Sequence, residues 1–210
     1  MSWLSGWKNR IKLIIDSSKV DEDLTNFPVL ITLSSGCGIS SVDVTNVFTE
    51  LGSNSKKIAI TNVDNTAQYY TEIDSWDQDN QQAWLWAKIS TVSSGSDTVV
   101  YLYYDSNQED NSIYIGTLGE TPAQNVWSNG YKGVYHMSQD PSGGSNAIKD
   151  STSNTNNGTP DGSMTSGDLV DGLVNKGVDF DGGNDDIGFG SPSDFDFGQD
   201  RKSTRLNSSH

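Results

Sequence analysis

Short runs in which apolar and polar residues alternate recur through the first half of this chain, and they constrain its fold more than any other feature. These runs are rich in β-branched and aromatic residues, and clusters of Gly, Asn, Asp and Ser separate them. They occupy residues 10–15, 27–33, 57–62, 69–76, 83–89 and 98–104. Alternation with a period of two over such lengths predicts half-buried strands, and their spacing predicts an all-β protein built on an antiparallel β-sandwich. Residues 41–51 give the only predicted helix, with Val44, Val47, Phe48 and Leu51 on one face.

The composition changes after residue 125. From 126 to 199 Gly, Asn, Ser and Asp dominate, and only residues 133–137, 177–180 and 186–189 have the pattern of strands. A jelly roll needs about eight strands, so this segment is too short of strands to enclose a core alone. We therefore predict a complete sandwich over 1–125, followed by an incomplete second module over 126–199.

The last stretch, residues 200–210 (DRKSTRLNSSH), resembles one reading frame of a sequencing-library adapter. A stretch of that origin is to be left out of fold reasoning, as a fusion scar would be. We therefore expect 200–210 to be a non-native tail and the natural protein to continue beyond Gln199.

The chain is strongly acidic, with a net charge of −15 at pH 7. Residues 1–199 are more acidic still, because the tail carries Arg201, Lys202 and Arg205 against the single acid Asp200. An acidic surface repels phosphate backbones and anionic lipid, so nucleic acid is not an expected partner. Residues 1–10 have no signal-peptide pattern, and no apolar run approaches the roughly 20 residues of a membrane span. Cys37 is the only cysteine, so no intrachain disulfide is expected.

Five ordered blocks carry a resemblance to a known family. They are residues 7–13 (WKNRIKL), 23–31 (DLTNFPVLI), 70–77 (YTEIDSWD), 86–89 (WAKI) and 101–104 (YLYY). In this order they resemble the domain of unknown function 2341 family over about residues 5–125. A strand that usually reads Asp-Ile-Arg-Phe-Thr in that family is KIAIT at 57–61 here, without the acid and the arginine.

The second segment resembles the start of a concanavalin A-like or laminin-G-like domain. The matching stretches are residues 134–137 (VYHM), 150–153 (DSTS), 157–159 (NGT) and 178–182 (VDFDG). Such a tandem is similar to arrangements in secreted surface proteins and in tail-type virion proteins. The resemblance implies a non-catalytic structural or adhesive protein of a virion or cell surface, with carbohydrate bound by the second module and other subunits of the assembly as partners. The alternative is a pair of accessory modules of a secreted glycan-degrading enzyme whose catalytic part is missing.

The run Glu72-Ile73-Asp74-Ser75-Trp76-Asp77 superficially resembles the catalytic strand of glycoside hydrolase family 16. A retaining mechanism needs two carboxyl groups about 5–5.5 Å apart. Glu72 and Asp74 would share a face of a regular strand, whereas Asp77 would point to the other face unless a bulge intervened. We therefore expect no catalytic residues here, and instead a partly exposed edge strand with its acids in water and Trp76 packed at its end.

Tryptophans are candidates for sugar binding, because their faces stack on sugar rings. Trp84 and Trp86 lie on one face of the predicted strand, opposite Ala83, Leu85, Ala87 and Ile89. Core packing is the favoured interpretation, with Trp86 structural. Trp84 and Trp76 remain as candidate ligand-binding residues.

The densest acidic group includes Asp181, Asp185 and Asp186, which makes these residues candidate Ca²⁺ ligands. The stretch 181–185 (DGGND) between two apolar fragments is equally the chemistry of a hairpin turn, which is the favoured interpretation. No metal or other cofactor is otherwise expected. His136 is the only histidine outside the tail, and it is predicted to be a packed strand residue.

Overall fold

The computed structural model describes residues 3–196, so the predicted non-native tail at 200–210 lies outside the described residues. The elements follow one another as β1 (Asn9–Ile15), β2 (Leu24–Leu33), α1 (Asn46–Leu51), β3 (Ile58–Asn62), β4 (Thr71–Asp77), β5 (Gln82–Val92), β6 (Thr98–Tyr104), β7 (Ile115–Thr117), α2 (Thr121–Val126), β8 (Thr159–Asp161), β9 (Leu169–Asp171), β10 (Lys176–Val178) and β11 (Asp186–Gly188). Short 3₁₀ turns lie at Ser17–Lys19, Pro141–Gly143, Ser166–Asp168 and Ser193–Phe195. None of the helices in this part of the chain combines the length and the apolar character that crossing a bilayer requires.

The first half is a β-sandwich, as the alternating runs predict. One sheet has the strand order β1-β6-β3 and the other β2-β5-β4-β7. All of these pairings are antiparallel except that of β7 with β4, which is parallel. The prediction of an all-β antiparallel sandwich is therefore confirmed. Strand β7 was not predicted, because its three residues are too few to show an alternation.

The core lies between the two sheets, where each strand turns its apolar face inward. Leu85, Ala87 and Ile89 of β5 and Leu102 of β6 are fully buried. The predicted helix packs across the end of the sandwich and buries Val47, Phe48 and Leu51, with Val44 beside them. It begins at residue 46 rather than 41, because Asp43 accepts hydrogen bonds from the backbone N–H (2.9 Å) and hydroxyl (2.7 Å) of Thr45 and so holds a turn there.

Strand β4 departs from the prediction of an exposed edge. It lies between β5 and β7, and Glu72 near its start is completely buried. A bulge interrupts its pairing with β5, since Ile73 pairs with Leu85 but Ser75 already pairs with Trp84. The extra residue is Asp74, and it reverses the facing of every later residue of the strand.

The segment after residue 126 is loop-rich, as predicted. Its four strands have three residues each and form two separate ribbons, β9 with β10 and β8 with β11. Both hydrophobic core clusters of the described part are built from residues before 116. The predicted domain boundary at residue 125 stays a prediction.

Two strand predictions in this segment fail. Residues 133–137 are not a strand, because the backbone N–H of Val134 donates to the side chain of Asp150 at 3.0 Å and Met137 has a positive φ of 55°. Residues 181–185 do not close a hairpin either, since the strands on their two sides, β10 and β11, belong to different ribbons. The loop is instead held by its own acids, with the N–H of Asp181 bonded to Asp185 (3.0 Å) and that of Gly183 to Asp181 (2.7 Å).

Candidate functional site

The most unusual polar group of the molecule lies where the outer face of the β2-β5-β4-β7 sheet meets the segment after α2. We call it the Glu72 cluster, and it comprises Glu72, Asp74, Trp86, Trp127, His136, Ser138 and Ser151. The first three come from β4 and β5, and the other four follow the second helix. Alternation in the strands explains the placement, because Glu72 and its cross-strand partner Trp86 point away from the core that Ile73 and Leu85 fill.

The carboxyl group of Glu72 is fully buried and has three partners. The indole N–H of Trp127 donates to Oε2 at 2.5 Å, and the hydroxyl of Ser151 donates to Oε1 at 2.9 Å. His136 Nε2 lies 3.1 Å from Oε2, and its side chain is 9% exposed. A buried carboxyl group is expensive unless its hydrogen-bonding capacity is met, and here both of its oxygens are engaged.

The aromatic rings close the cluster from the side. His136 stacks on Trp86 with ring centroids 5.7 Å apart and planes 17° apart, and Trp127 packs against both rings at 5.4–5.6 Å. Tyr131 covers Trp127 edge-on at 5.5 Å. The indole N–H of Trp86 is buried and has no hydrogen-bond partner among residues 3–196. Trp86 therefore packs on the outer face of the sheet under the later segment, and not in the core between the sheets as the favoured interpretation predicted.

The surroundings of His136 shift its pKa. Burial works against its charged form, but the hydrogen bond and charge of Glu72, together with the charge of Asp74, outweigh burial and raise the pKa of His136 above its ordinary value. Burial raises the pKa of Asp74, against the opposing effect of the positive charge of His136. The hydroxyl of Ser138 donates to Asp74 at 3.3 Å, which ties the bulge to the same segment.

The second segment is organised around another buried acid. Asp150 accepts the backbone N–H groups of Val134 (3.0 Å), Thr152 (2.8 Å) and Asn156 (2.9 Å), as well as the hydroxyl of Thr152 (2.8 Å). These bonds fold residues 150–156 into a tight loop and set Ser151 against Glu72. Sequence reasoning treated both Asp150 and Ser151 as part of a family resemblance only, because nothing local marks a residue that is satisfied by contacts so distant in sequence.

The arrangement does not form a hydrolytic triad. In a triad the nucleophile bonds to the histidine and the acid orients the histidine from behind. Here the carboxyl group of Glu72 lies between Ser151 and His136, and Ser151 has no exposed surface. A glycosidase pair is equally unsupported, because Glu72 faces protein groups instead of a cleft and Asp77 bonds to Asn80 in the following turn at 2.7–2.9 Å.

The other predicted site residues lie apart from this cluster. Trp84 is half-buried on the outer sheet face, opposite Thr32 and Ser75. Trp76 packs on Phe48 with centroids 4.8 Å apart and donates its N–H to the carbonyl of Gly52 at 2.8 Å, which agrees with the expectation that it packs at the strand end. Within residues 3–196 no group of three acids, histidines or cysteines could hold a metal ion, so Asp181, Asp185 and Asp186 do not converge into a site.

No family model matches the chain, and neither a curated protein nor a solved structure is significantly similar to it.

Proposed function

We propose that this chain is a non-catalytic structural and adhesive module of a virion or cell-surface assembly, which binds carbohydrate through its second segment. The observation that carries the non-catalytic part is the burial of Glu72. Within residues 3–196, the constellation with the residue types of a hydrolase is the Glu72 cluster. Its carboxyl group is buried, both oxygens of that group are hydrogen-bonded, and these bonds hold residues 127–151 against the sandwich.

Membership of the domain of unknown function 2341 family is part of the same proposal. Four of its five blocks overlap β1, β2, β4 and β5, and the fifth lies within β6, so the resemblance follows the strands of the sandwich. The start of a concanavalin A-like or laminin-G-like module at 126–199 is proposed on the sequence resemblance alone, with Ca²⁺ as a ligand to be tested.

The surface chemistry supports a neutral ligand. The net charge of −15 disfavours polyanions, whereas sugar hydroxyls carry no charge to repel. Tyr131 and Phe180 expose 37% and 46% of their surface on the second segment, and Trp84 is half-buried on the sheet. These rings offer faces on which a sugar can stack.

A glycan array probed with the full chain, with and without Ca²⁺, tests the adhesive part. We expect binding to at least one neutral glycan and its loss in Phe180→Ala, a change on the second segment. The control is Ile113→Ala, which lies on an exposed loop of the sandwich. If no glycan on the array binds, carbohydrate binding is removed from the proposal.

Incubation of any bound glycan with the protein tests the non-catalytic part separately. We expect no new reducing ends, whereas hydrolysis abolished by Glu72→Gln would replace the proposal with an enzyme.

A further inference from the structure

The sandwich is open along one side, between the free edges of β1 and β2. A cavity of about 540 Å³ lies there, and a second of about 660 Å³ continues from it along β2. The two share residues from both edge strands and from the loop after β2, which are Ile15, Asp16, Val29, Leu30 and Ile39. We call the combined depression the edge groove.

The core is incompletely covered at this groove. Ile11, Leu13 and Ile15 of β1 face inward but are only partly buried, whereas Leu102, the β6 partner of Ile11, is completely buried. Around the groove four large apolar residues are strongly exposed: Ile14 at 55%, Phe27 at 40%, Ile39 at 85% and Val42 at 53%. Each of the four lines one or both of the two cavities, and exposed apolar residues that are grouped in this way mark interaction sites in soluble proteins.

Both strands that border the groove have an unpaired edge in the part of the chain that the structure describes. β1 pairs only with β6, and β2 only with β5. The N–H of Lys88 points away from β2 and donates to the carbonyl of Tyr70, the residue before β4, at 3.0 Å. Lys88 and its β2 partner Pro28 therefore form a non-hydrogen-bonded pair. By alternation the backbone groups of Leu30 and Thr32 then point outward from β2, and they offer a template for another strand.

We propose that the edge groove binds an extended segment of a different protein chain, which adds a strand to β2 and places every second side chain, an apolar one, over β1. Strand addition of this kind uses the backbone for affinity and pockets for alternate side chains for specificity. The inference rests on the structural role proposed above, and it names the partner for that role without depending on glycan binding.

The negative charge around the edge groove indicates the chemistry of the partner segment. Four carboxylates border the edge groove, at Asp16, Asp21, Glu22 and Asp97, against two lysines, Lys12 and Lys19. A second copy of this chain would bring a net charge of −15 to a surface that is already acidic. The segment that fits therefore has alternating apolar residues flanked by Lys or Arg.

Selection from a phage-displayed library of random 12-residue peptides, panned against the full chain, tests this inference. We expect enriched peptides with apolar residues at every second position and basic residues at their ends. Binding of the synthetic peptide should fall at least about tenfold, a change of 1.4 kcal/mol, in Ile39→Asp, because a carboxylate then enters the apolar contact. The matched control is Ile113→Asp, since Ile113 is 73% exposed away from the groove and should leave binding unchanged.

Methylation of alternate backbone amides of the peptide tests the strand geometry. One peptide carries the methyl groups on its odd-numbered amides and the other on its even-numbered amides. We expect only one of the two peptides to lose binding, because alternate N–H groups point to opposite edges of the added strand and only one edge faces β2. Three outcomes of the peptide experiments would overturn the inference: no enrichment over a control protein, enriched peptides without alternation, or binding that Ile39→Asp and both patterns of methylation leave intact. Sedimentation of the full chain tests a second copy as the partner. If the chain self-associates and Ile39→Asp abolishes the association, the groove binds a second copy and the inference is overturned. Each of these results is independent of the glycan array and the hydrolysis assay.

Discussion

At the scale of single residues, Glu72 defines how the two parts of the chain are joined. Its strand belongs to the sandwich, but its hydrogen-bond partners Trp127, His136 and Ser151 are 55 to 79 residues further along the chain. A buried carboxyl group with every partner in place costs little, whereas the loss of one partner exposes the full penalty of desolvation. The stability of this junction therefore depends on a few polar bonds.

Glu72→Gln tests that dependence. The neutral amide takes the carboxylate charge away from the hydrogen bonds with Trp127 and His136, and its N–H₂ group forces the hydroxyl of Ser151 to change from donor to acceptor. We expect the free energy of unfolding to fall by about 1–3 kcal/mol in urea denaturation. The control is Glu109→Gln, since Glu109 is exposed and its change should be within about 0.5 kcal/mol of zero. Equal stability of the two variants would contradict the role given to Glu72.

His136 should make the junction sensitive to alkaline pH. Its pKa is raised in the folded protein above the ordinary value of 6.5, so the stability it contributes is complete below pH 6.5 and is lost as the pH rises through the raised value. Burial raises the pKa of Asp74 as well, so this group also contributes stability that is lost as the pH rises. The loss occurs at lower pH than for His136, in the range where Asp74 itself titrates. The exposed Asp23 and the half-buried Asp77 have lowered pKa values, because hydrogen bonds from Ser94 and Asn80 favour their charged forms, and they affect stability only in the acid range.

We therefore expect the free energy of unfolding to decrease from pH 6 to pH 9. In His136→Gln that slope should flatten, because the group that releases the proton is gone. Denaturant titrations at the two pH values measure the difference. An unchanged slope in the variant would show that His136 is not the titrating group.

At the scale of elements, α2 and the loop after it act as a cover for the outer face of one sheet. Trp127 and His136 partly cover Trp86, which lies on the outer side of β5. Lys88, two residues on, donates to the carbonyl of Asn125 (3.2 Å) and to Ser128 (2.7 Å), which fixes the end of the helix to the strand. Part of the outer face of the sheet is therefore covered as well as the inner face, and only the inner face belongs to the sandwich core.

Truncation tests this cover. The fragment 1–125 should unfold cooperatively, but at lower denaturant than the fragment 1–158, because Trp86 and Glu72 are left in water. We expect a difference of about 1.5–3 kcal/mol, the value of burying one large apolar side chain. In 1–125 Glu72→Gln should have almost no effect, since the carboxyl group is then solvated. Equal stability of the two fragments would show that residues 126–158 do not support the sandwich.

At the scale of the whole molecule, the sequence predicts the sandwich well and the junction poorly. The strands β1 to β6 follow from alternation, because each has one face in the core and one outside it. The burial of Glu72 could not be predicted, since it depends on contacts with Trp127, His136 and Ser151 that leave no local pattern. The bulge at Asp74 was equally hidden, although it turns Asp77 to the same side as Glu72. Short strands such as β8 and β9 could not be predicted for a further reason. A strand of three residues is too short to show the alternation of apolar and polar residues.

The separation in sequence between Glu72 and its partners has a consequence for the order of events during synthesis. When a ribosome has released the strands up to β6, the sheets can already assemble, yet the polypeptide that carries Trp127 and Ser151 is still inside the exit tunnel or not yet made. We therefore expect the nascent chain to expose Trp86 and a hydrated Glu72 until about residue 151 has left the exit tunnel. Folding during synthesis is thus expected to have two stages, first the assembly of the sandwich and then the packing of residues 127–151 on its outer face.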